Sequence, residues 1–457
     1  MRLPDDLPVA SVLPTLIWAL ERGGNAVLQA PPGAGKTTLV PLALLQAPWL
    51  SGKIVVLEPR RLAARAAARR MAALLGEEVG ATVGYRVRLD QRVGPRTRVE
   101  VVTDGIFTRL IQADPSLADV GLVVFDEIHE RSLEVDLGLS LAIETQSALR
   151  EDLRLVAMSA TLDGTRIARL LGDAPLITSE GRAYPVETRY LGGSGDRIGE
   201  SVLAATRRAL AERPGDVLVF LPGAREIRRV AGLLEEAGLP AEVSIHPLYG
   251  DLPQEAQDAA IRPAPPGRRK IVLATNIAET SLTIEGVTSV IDSGLARQPR
   301  FDPASGMSRL VTGRISQAAA DQRRGRAGRL APGICYRLWS EAEQRALLPQ
   351  TTPEILEADL APLALELAQW GVADAASLSW LDPPPPAALA QARDLLRRLG
   401  ALDDAGSITP HGRKMAELGL HPRLAHMLIR GAELGYGRAA CRIAAVLEER
   451  DILRSGG

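Results

Sequence analysis

Five short apolar runs, each ending in a polar or small residue, constrain the fold of this chain more than any other feature. They lie at residues 26–30, 54–58, 99–103, 122–126 and 153–159. Each run is nearly continuous in Val, Ile and Leu, as in parallel strands covered on both faces, and helical stretches such as 62–75 separate them. The pattern predicts a doubly wound α/β domain whose functional loops follow the carboxyl ends of the strands.

The same rhythm returns after a proline-bearing connector at 181–187. Further strand-like runs lie at 217–221, 243–248, 271–275, 289–292 and 334–338, with helical stretches such as 224–237 between them. We therefore expect two similar α/β lobes in tandem, at 1–180 and 181–340, with a cleft between them.

A β-hairpin and a helical region complete the predicted organisation. Residues 295–301 and 307–311 flank a five-residue turn, which predicts a hairpin that projects from the second lobe. From residue 341 the strand pattern stops and helical periodicity follows, broken at 383–386 and 403–406. We expect a small, mostly helical region of winged-helix type, and we expect truncation because no closing element follows the last helical run.

Composition excludes several classes of protein. The two cysteines, Cys335 and Cys441, exclude a disulfide scaffold and a four-cysteine iron–sulfur cluster, and the five histidines pair with no cysteine at zinc spacing. Any metal must be held by oxygen. No targeting segment and no membrane-length apolar run is recognised, so a cytoplasmic location without membrane contact is expected. The net charge of -1 implies that a polyanion would be bound by a local groove.

A glycine-rich loop follows the first predicted strand, with the sequence A-P-P-G-A-G-K-T-T at residues 30–38. A phosphate chain requires close backbone N–H groups and a helix N-terminus, which favours Gly33 and Gly35 in this context. Lys36, one of only four lysines beside fifty arginines, would reach the outer phosphates, and Thr37 would offer a hydroxyl to magnesium. The alternative is an ordinary flexible turn, which the strand–loop–helix context disfavours.

Two carboxylates end the fourth apolar run, where Asp126 and Glu127 begin the sequence D-E-I-H. Asp126 would complete magnesium coordination through water, and Glu127 would orient and deprotonate the water that attacks the γ-phosphate. The alternative is a pair of acidic residues that cap the next helix. Lys36 upstream favours the catalytic interpretation.

The second lobe carries a basic run, Q-R-R-G-R-A-G-R at residues 322–329, which we expect to open a helix. The charges could form a solvated face. However, Gly325 and Gly328 are poor residues for a surface helix and favour close packing against the neighbouring lobe. Arginines offered across the cleft would neutralise charge on the transferred phosphoryl group, so hydrolysis would require the lobes to close.

These residues resemble the DEAH-box branch of superfamily 2 helicases, and the arrangement is most similar to the bacterial HrpB-type subgroup. The resemblance covers nearly the whole chain and includes E-P-R-R-L-A-A at 58–64, T-D-G at 103–105, S-A-T at 159–161, F-L-P-G at 220–223 and A-T-N-I-A-E-T-S-L-T-I at 274–284. It implies two tandem RecA-like domains, a winged-helix-like region at 341–405 and the start of a ratchet-like helical domain at 406–457. It also implies ATP and Mg²⁺ as cofactors.

The resemblance assigns roles to individual residues at the nucleotide. The implied catalytic residues are Lys36, Asp126, Glu127, Gln322, Arg326 and Arg329. The implied nucleotide contacts are Gly33, Ala34, Gly35, Lys36, Thr37, Thr38, Arg70, Thr283 and Glu285, and the implied metal ligands are Thr37, Asp126 and Glu127. His129, Ser159 and Thr161 would couple the nucleotide state to lobe movement. Arg70 would stack on the base, but Ile261 replaces the aromatic partner, so poor discrimination among NTPs is expected.

A second set of residues matches family positions along a single nucleic-acid strand. These residues are Arg60, Arg61, Thr103, Asp104, Gly105, Thr275 and Asn276. Their types suit sugar–phosphate contacts, which read no sequence. The chain has only fifteen aromatic residues, so we expect tracking by backbone contacts that weaken with salt. The hairpin resembles the family's strand-separating element, and the alternative is an ordinary surface hairpin.

The resemblance implies an ATP-dependent helicase or translocase that moves 3′ to 5′ on a single strand and displaces a paired one. RNA is favoured over DNA, and the chain is expected to act as a monomer. An AAA+ or signalling P-loop protein is disfavoured because the arginines come from a second lobe of the same chain. A nucleotide-gated RNA clamp or remodelling adaptor, which grips RNA without unwinding it, would carry the same residues and stays open.

Overall fold

The computed structural model describes residues 4, 7–160, 164–181, 184–192, 197–280, 284–302, 307–329 and 331–448. The chain divides into two compact units, of which the first is Met1–Arg300 with Leu310–Thr352 and the second is Phe301–Arg309 with Pro353–Gly457. The first unit contains the two large sheets, the glycine-rich loop, the D-E-I-H sequence and the basic run. The second is mostly helical.

Eight strands form the first sheet. They are β1 (Asn25–Gln29), β2 (Lys53–Glu58), β3 (Val83–Val87), β4 (Asp90–Arg92), β5 (Val99–Thr103), β6 (Val120–Phe125), β7 (Arg154–Ser159) and β8 (Leu176–Thr178). Their order is β4-β3-β5-β2-β6-β7-β1-β8, and all neighbours are parallel except β3 and β4. The five predicted strands are confirmed. β3 was missed because Gly84 and Arg86 interrupt its apolar pattern, and β4 and β8 because they are only three residues long.

Helices cover both faces of this sheet. They are α1 (Leu13–Gly23), α2 (Lys36–Leu44), α3 (Arg61–Leu75), α4 (Asp104–Ala113), α5 (Leu133–Ala148) and α6 (Gly164–Leu170). Val124 of β6 packs into the apolar cluster that α1, α2 and α3 build on one face. Its neighbour Phe125 contacts Phe107 of α4 edge to face on the other, with ring centroids 5.7 Å apart. Both faces are therefore buried, which explains the uninterrupted apolar runs.

The second sheet has six parallel strands and lies in the same compact unit. The strands of this lobe are β9 (Val186–Tyr190), β10 (Asp216–Phe220), β11 (Val243–Leu248), β12 (Arg269–Ala274), β13 (Val287–Asp292), β14 (Leu295–Asp302), β15 (Met307–Arg314) and β16 (Gly333–Arg337). The sheet order is β11-β12-β10-β13-β16-β9, and β14 pairs with β15 in a separate ribbon. The five predicted strands and the hairpin are confirmed, whereas the turn residues 303–306 lie outside the described residues.

One expectation for this lobe is wrong. The connector predicted at 181–187 overlaps β9, which begins at Val186 and pairs with β16 at the edge of the sheet. Its sequence V-E-T-R-Y carries polar residues because an edge strand is exposed on one side, so the apolar pattern did not reveal it. The helices of this lobe are α7 (Ile198–Glu212), α8 (Ala224–Glu236), α9 (Gln254–Ile261), α10 (Gln317–Gly325) and α11 (Glu341–Ala346).

The helical region predicted beyond residue 341 is confirmed. Its further helices are α12 (Ala361–Trp370), α13 (Pro386–Arg398), α14 (Pro410–Leu418), α15 (Pro422–Glu433) and α16 (Gly437–Glu448). Extended structure among these described residues is limited to an antiparallel bridge between Leu402 and Ile408. In the described ranges, no helix combines the length and apolar character needed to span a bilayer.

Candidate functional site

The loop after β1 has the backbone that phosphate binding requires. Gly33 and Gly35 have φ angles of +85° and +89°, in the left-handed region that favours glycine. Gly35 is the N-cap of α2, and a Cβ at this position would lie only 2.8 Å from Cδ1 of Leu7. Lys36, the first residue of α2, is buried with an exposure of 3%. The loop therefore aims the helix N-terminus and an ammonium group at one point.

The two predicted carboxylates meet this ammonium group at the carboxyl end of β6. Lys36 Nζ lies 2.9 Å from Glu127 Oε1 and 3.9 Å from Asp126 Oδ1. The hydroxyl of Thr37 donates to Asp126 Oδ2. Glu127 has a φ of +50°, a strained value for a residue with a side chain, and such strain is concentrated at functional sites. Sequence positions 36, 37, 126 and 127 thus form one buried cluster.

The charges in this cluster fix which groups carry protons. Burial raises the pKa of Asp126 to about 6, although the Lys36 ammonium opposes the shift. Burial would also raise the pKa of Glu127, but the ammonium of Lys36 outweighs it and lowers this pKa to about 2. Glu127 is therefore a carboxylate at neutral pH, as a group that accepts a proton from water must be.

Glu58, at the end of β2, is a neighbour to which sequence reasoning gave no role. It is fully buried, and neither carboxyl oxygen accepts a hydrogen bond from a described donor. Burial and the nearby carboxylates of Asp126 and Glu127 raise the pKa of Glu58 well above its usual value. Glu58 is therefore harder to ionise than an exposed glutamate, which limits the negative charge that it adds to the cluster.

The oxygen atoms of this cluster fit a magnesium ion. The donor set of one hydroxyl, on Thr37, and the carboxylates of Asp126 and Glu127 is the hard-oxygen type that Mg²⁺ prefers. Among the described residues, no group of three or more His, Cys, Asp or Glu side chains could hold a metal by itself. The ion would accordingly share its coordination with the phosphates of a nucleotide.

Two arginines of the second lobe face this cluster. The guanidinium of Arg329 packs on the glycine loop, and its nearest atoms lie 3.6–3.7 Å from the position that a Cβ of Gly33 would occupy. Arg326 is 4% exposed, and its Nε donates to the carbonyl of Glu279 at 2.9 Å. Burial and the adjacent Arg329 lower the pKa of Arg326 well below its usual value, and burial lowers that of Arg329 to about 10. Two like charges beside the loop, one buried and one partly buried, favour an anionic ligand there.

The basic run itself is arranged differently from the expectation. Residues 322–325 end α10 and Arg326–Gly328 form a 3₁₀ turn, so the prediction that this run opens a helix is wrong. Gly325 is exposed, and a Cβ added to it would have open space within 4 Å, whereas a Cβ on Gly328 would lie 2.6 Å from the carbonyl oxygen of Tyr184. Gly328 therefore packs on the chain that leads into β9 of its own lobe, and neither glycine packs against the first lobe.

Arg323 is a structural residue of this run that sequence reasoning did not single out. It is 1% exposed, and it donates to Glu279 Oε2 and to Asp292 Oδ1, both at 2.9 Å. Its guanidinium also lies 4.8 Å from the ring centroid of Phe220. Arg323 thereby anchors the run to β13 and to Glu279, whose backbone carbonyl also accepts a hydrogen bond from Arg326. Arg323 lies three residues before Arg326, so the two lie on neighbouring turns, and this spacing was the only sequence signal that could have pointed to Arg323.

His129, one of the predicted coupling residues, lies next to Glu127. His129 Nδ1 accepts a hydrogen bond from the backbone N–H of Ala160 at 3.3 Å, and its Nε2 lies 3.5 Å from Glu127 Oε2. Burial lowers the pKa of His129, so the ring is neutral with its proton on Nε2. Ser159 is fully buried at the end of β7, and Thr161 lies outside the described residues. His129 thus connects Glu127 to the S-A-T segment.

The other predicted nucleotide contacts are more dispersed. Arg70 is exposed on α3, Glu285 is exposed before β13, and Thr283 lies outside the described residues. Ile261, at the end of α9, is partly buried against the core of the second lobe. Ala34 is buried, the Thr38 hydroxyl donates to the Gly35 carbonyl at 3.3 Å, and Gln322 lies partly buried in α10.

The predicted nucleic-acid contacts follow the carboxyl ends of strands in both lobes. Arg61, Gly105 and Asn276 are exposed, and Thr103 and Thr275 are partly exposed. Asp104 differs, because it is buried as the first residue of α4 and accepts a hydrogen bond from Ser132 at 2.9 Å. Its carboxylate therefore holds the start of α5.

Arg60, in contrast, lies between the two lobes. It donates to Glu130 Oε2 at 3.0 Å and to the backbone carbonyl of Asn276 in the second lobe. Two of the predicted nucleic-acid positions are thus in direct contact across the cleft.

Comparison with known proteins agrees with this geometry. Residues 10–170 match the DEAD/DEAH box helicase family, residues 201–331 match the helicase conserved C-terminal domain, and residues 392–420 match the winged-helix Helicase associated domain (HA2). The chain is 51% identical over 444 residues to the ATP-dependent RNA helicase HrpB of Escherichia coli. It is 38% identical over 458 residues to the pre-mRNA-splicing factor ATP-dependent RNA helicase prp22 of Schizosaccharomyces pombe.

Solved structures match over almost the whole chain. Crystal structures of E. coli HrpB, described as a DEAH/RHA helicase and as a DExH-box NTPase, match with TM-scores of 0.93 and 0.87 at 50% sequence identity. Each covers 99% of this chain, but this chain covers 57% and 56% of them. The alignments cover 97% and 98% of this chain but 55% of the E. coli protein and 39% of the S. pombe protein. The chain therefore spans about half the length, or less, of these relatives.

Proposed function

Because the chain belongs to the DEAD/DEAH box helicase family, with an HrpB-type arrangement of two RecA-like domains, we propose that it hydrolyses ATP when nucleic acid is bound. One observation carries the proposal: the Lys36, Asp126 and Glu127 cluster of the first lobe faces Arg326 and Arg329 of the second. The proposed domain boundaries are 1–180, 181–340, 341–405 and 406–457.

The ion pair between Lys36 and Glu127 suggests how hydrolysis begins. A γ-phosphate that enters the glycine loop competes with Glu127 for the Lys36 ammonium, since both are anions within reach of Nζ. Glu127 then accepts a hydrogen bond from water in place of Lys36 and orients that water for in-line attack. Thr37, Asp126 and Glu127 would hold a Mg²⁺ ion, which when bound would neutralise charge at the phosphates.

The arginines of the second lobe complete the site. Arg326 and Arg329 neutralise the charge that develops on the transferred phosphoryl group, and Gln322 of the same run is the proposed contact of the attacking water. Since these groups come from the lobe opposite to the glycine loop, hydrolysis depends on the distance between the lobes. Nucleotide turnover therefore drives relative movement of two bodies that both contact the strand.

The proposed substrate is single-stranded RNA or a tailed duplex, with RNA favoured over DNA because both named relatives are RNA helicases. Arg60, Arg61, Gly105, Thr275 and Asn276 offer sugar–phosphate contacts, so binding is independent of sequence and weakens with salt. We propose 3′-to-5′ movement with strand displacement by a cytoplasmic monomer. Arg70 and the aliphatic Ile261 predict loose selection among NTPs, with ATP as the usual substrate.

Measuring ATP turnover and strand displacement together tests this function. ATP turnover is measured with matched single-stranded RNA and DNA, and displacement is measured on duplexes with either a 3′ or a 5′ tail. We expect stimulation by RNA and displacement only from the 3′-tailed duplex, and Glu127→Gln is expected to abolish both. Turnover without displacement would favour the clamp. Turnover that nucleic acid does not change, or that Glu127→Gln does not lower, would contradict the assignment.

A further inference from the structure

Glu130, three positions after Glu127, binds a partner from each lobe with its two carboxylate oxygens. Arg60 of the first lobe donates to Oε2 at 3.0 Å, and the hydroxyl of Thr280 of the second lobe donates to Oε1. The side chains of Glu130 and Arg60 have exposures of only 18% and 20%. Charge-assisted hydrogen bonds with so little solvent hold their geometry better than surface pairs do.

Thr280 continues this chain of contacts toward the nucleotide site. The residue is 4% exposed, and its backbone carbonyl accepts a hydrogen bond from Arg326. The carbonyl of the preceding residue, Glu279, accepts a second bond from Arg326 at 2.9 Å. Thr280 therefore contacts Glu130 through its side chain and Arg326 through its backbone. A displacement of Glu130 changes the position of the peptide that aims Arg326.

Arg60 is the other end of the same chain of contacts. Its guanidinium donates to Glu130 and to the carbonyl of Asn276, and it lies at the predicted nucleic-acid path. A guanidinium has five N–H donors, so it can add a phosphate ligand without releasing Glu130. A bound strand would therefore immobilise Arg60, and through it the carboxylate of Glu130.

We propose that Glu130 and Thr280 are positioning residues that transmit nucleic-acid binding at Arg60 to the placement of Arg326. The inference rests on the proposed function and names a route by which the strand stimulates turnover. Neither residue needs to touch the nucleotide or the strand. The strand fixes Arg60, Arg60 fixes Glu130, and Glu130 holds Thr280 and with it the two carbonyls that orient Arg326.

The test compares Thr280→Val with Thr280→Ser in a strand-stimulated ATPase assay. Valine keeps the shape of threonine but removes the hydroxyl, whereas serine keeps the hydroxyl. We expect Thr280→Val to lower the kcat of the RNA-saturated enzyme about tenfold, a size ordinary for coupling between sites. The RNA concentration for half-stimulation should change by less than about threefold, because Arg60 remains. Thr280→Ser should stay within about twofold of the parent chain.

A double mutant measures the link itself. If Glu130 and Thr280 act through each other, Glu130→Ala lowers the stimulated kcat by a similar factor, and the double variant is no worse than either single one. Additive losses would overturn the proposal, as would a Thr280→Val enzyme that is stimulated as strongly as its parent.

A matched control separates this route from lobe contact in general. Arg69 of α3 and Asp258 of α9 also join the two lobes, with Arg69 Nη1 3.3 Å from Asp258 Oδ2, but they have no contact with Arg326. Asp258→Ala should leave the stimulated kcat within about twofold. If Asp258→Ala lowered the stimulated kcat as much as Thr280→Val does, the loss would reflect weaker contact between the lobes in general and would contradict the proposal. If the parent chain itself shows no RNA-stimulated turnover, the proposed function fails instead.

Discussion

The two lobes each bury a lysine, and the two lysines do different things. Lys36 of the first lobe is 3% exposed at the carboxyl edge of its sheet, where it meets the carboxylates of Glu127 and Asp126. Lys270 of the second lobe is 1% exposed near the amino end of β12, where its Nζ donates to the carbonyls of Ala260, at 2.9 Å, and Arg262. Residue type and burial are thus nearly the same, and only the partners differ.

The pKa values of the two lysines differ accordingly. Burial alone would lower both, but Glu127 and Asp126 raise the pKa of Lys36. The Lys270 ammonium donates to backbone carbonyls, and Asp216 accepts only from the Lys270 backbone N–H, at 2.9 Å, so burial lowers the Lys270 pKa despite the influence of Asp216. In the proposed function a phosphate replaces the carboxylates beside Lys36, whereas the carbonyls that accept from Lys270 belong to the end of α9 and the residue after it. We infer that the carboxyl edge of each sheet carries chemistry and the amino edge carries stability.

The largest expected effect comes from replacing Lys36, the lysine that contacts carboxylates. Lys36→Ala should lower ATP turnover more than about a thousandfold, because no other ammonium reaches the outer phosphates. Lys36→Arg should fail as well, since a planar guanidinium does not replace a compact point charge in this loop. Steady-state turnover of the purified variants gives the result. Normal ATP turnover in Lys36→Ala would contradict the assignment of this cluster as the nucleotide site.

The next largest effect concerns the arginine that faces Lys36 from the other lobe. Arg326→Ala should lower turnover by about a thousandfold while nucleotide binding is largely retained, because Arg326 acts on charge that develops during transfer. A fluorescent nucleotide titration beside single-turnover hydrolysis separates the two quantities. Equal loss of binding and hydrolysis would argue against this role.

Lys270 gives the opposite expectation. Lys270→Met removes the buried donor to the carbonyls of Ala260 and Arg262 and should lower the free energy of unfolding of the second lobe by about 2 kcal/mol. ATP turnover should not change below the melting transition. Lys53→Met is the matched control, because Lys53 begins β2 in the first lobe but is only partly buried, so its effect should stay within about 0.5 kcal/mol. Urea unfolding followed by fluorescence measures the stability of both variants. If Lys270→Met kept its stability but lost ATP turnover, the structural role assigned to Lys270 would be wrong.

The smallest effect compares two arginines at opposite edges. Arg60 follows the carboxyl end of β2, whereas Arg269 begins β12 and donates to the carbonyls of Leu210, Arg213 and Gly215 at 2.7–2.9 Å. Arg60→Ala should weaken all strands alike and reduce the slope of log affinity against log salt by about one. Arg269→Ala should leave that slope unchanged and lower stability. Fluorescence anisotropy at several salt concentrations checks this, and a base-selective effect of Arg60→Ala would contradict backbone tracking.

Much of the fold could be predicted because parallel strands buried on both faces leave a plain apolar signature. All ten predicted strands and the hairpin are confirmed, and so is the DEAH-box, HrpB-type resemblance. The strands that were missed, such as β9 at Val186–Tyr190, lie at sheet edges or are short, and their polar residues resemble a connector. The basic run was assigned to the wrong end of a helix because its charges mask where α10 stops at Gly325.

The sequence by itself determined the local parts of the site. Left-handed backbone at Gly33 and Gly35 requires glycine, and a lysine directly after them opens α2, so these features depend on neighbours a few residues away. The order of strands then brings Asp126 and Glu127 to the same edge, as the rule for parallel sheets predicts.

Only the tertiary structure decided which partner each buried charge has. Glu130 is 70 positions from Arg60 and 150 from Thr280, yet its two oxygens join them. Nothing in the local pattern distinguishes Glu130 from an exposed helix residue, nor Lys270 from Lys36. The physical reason is that a charge removed from water is controlled by the few groups within about 4 Å of it. Those groups come from distant parts of the chain.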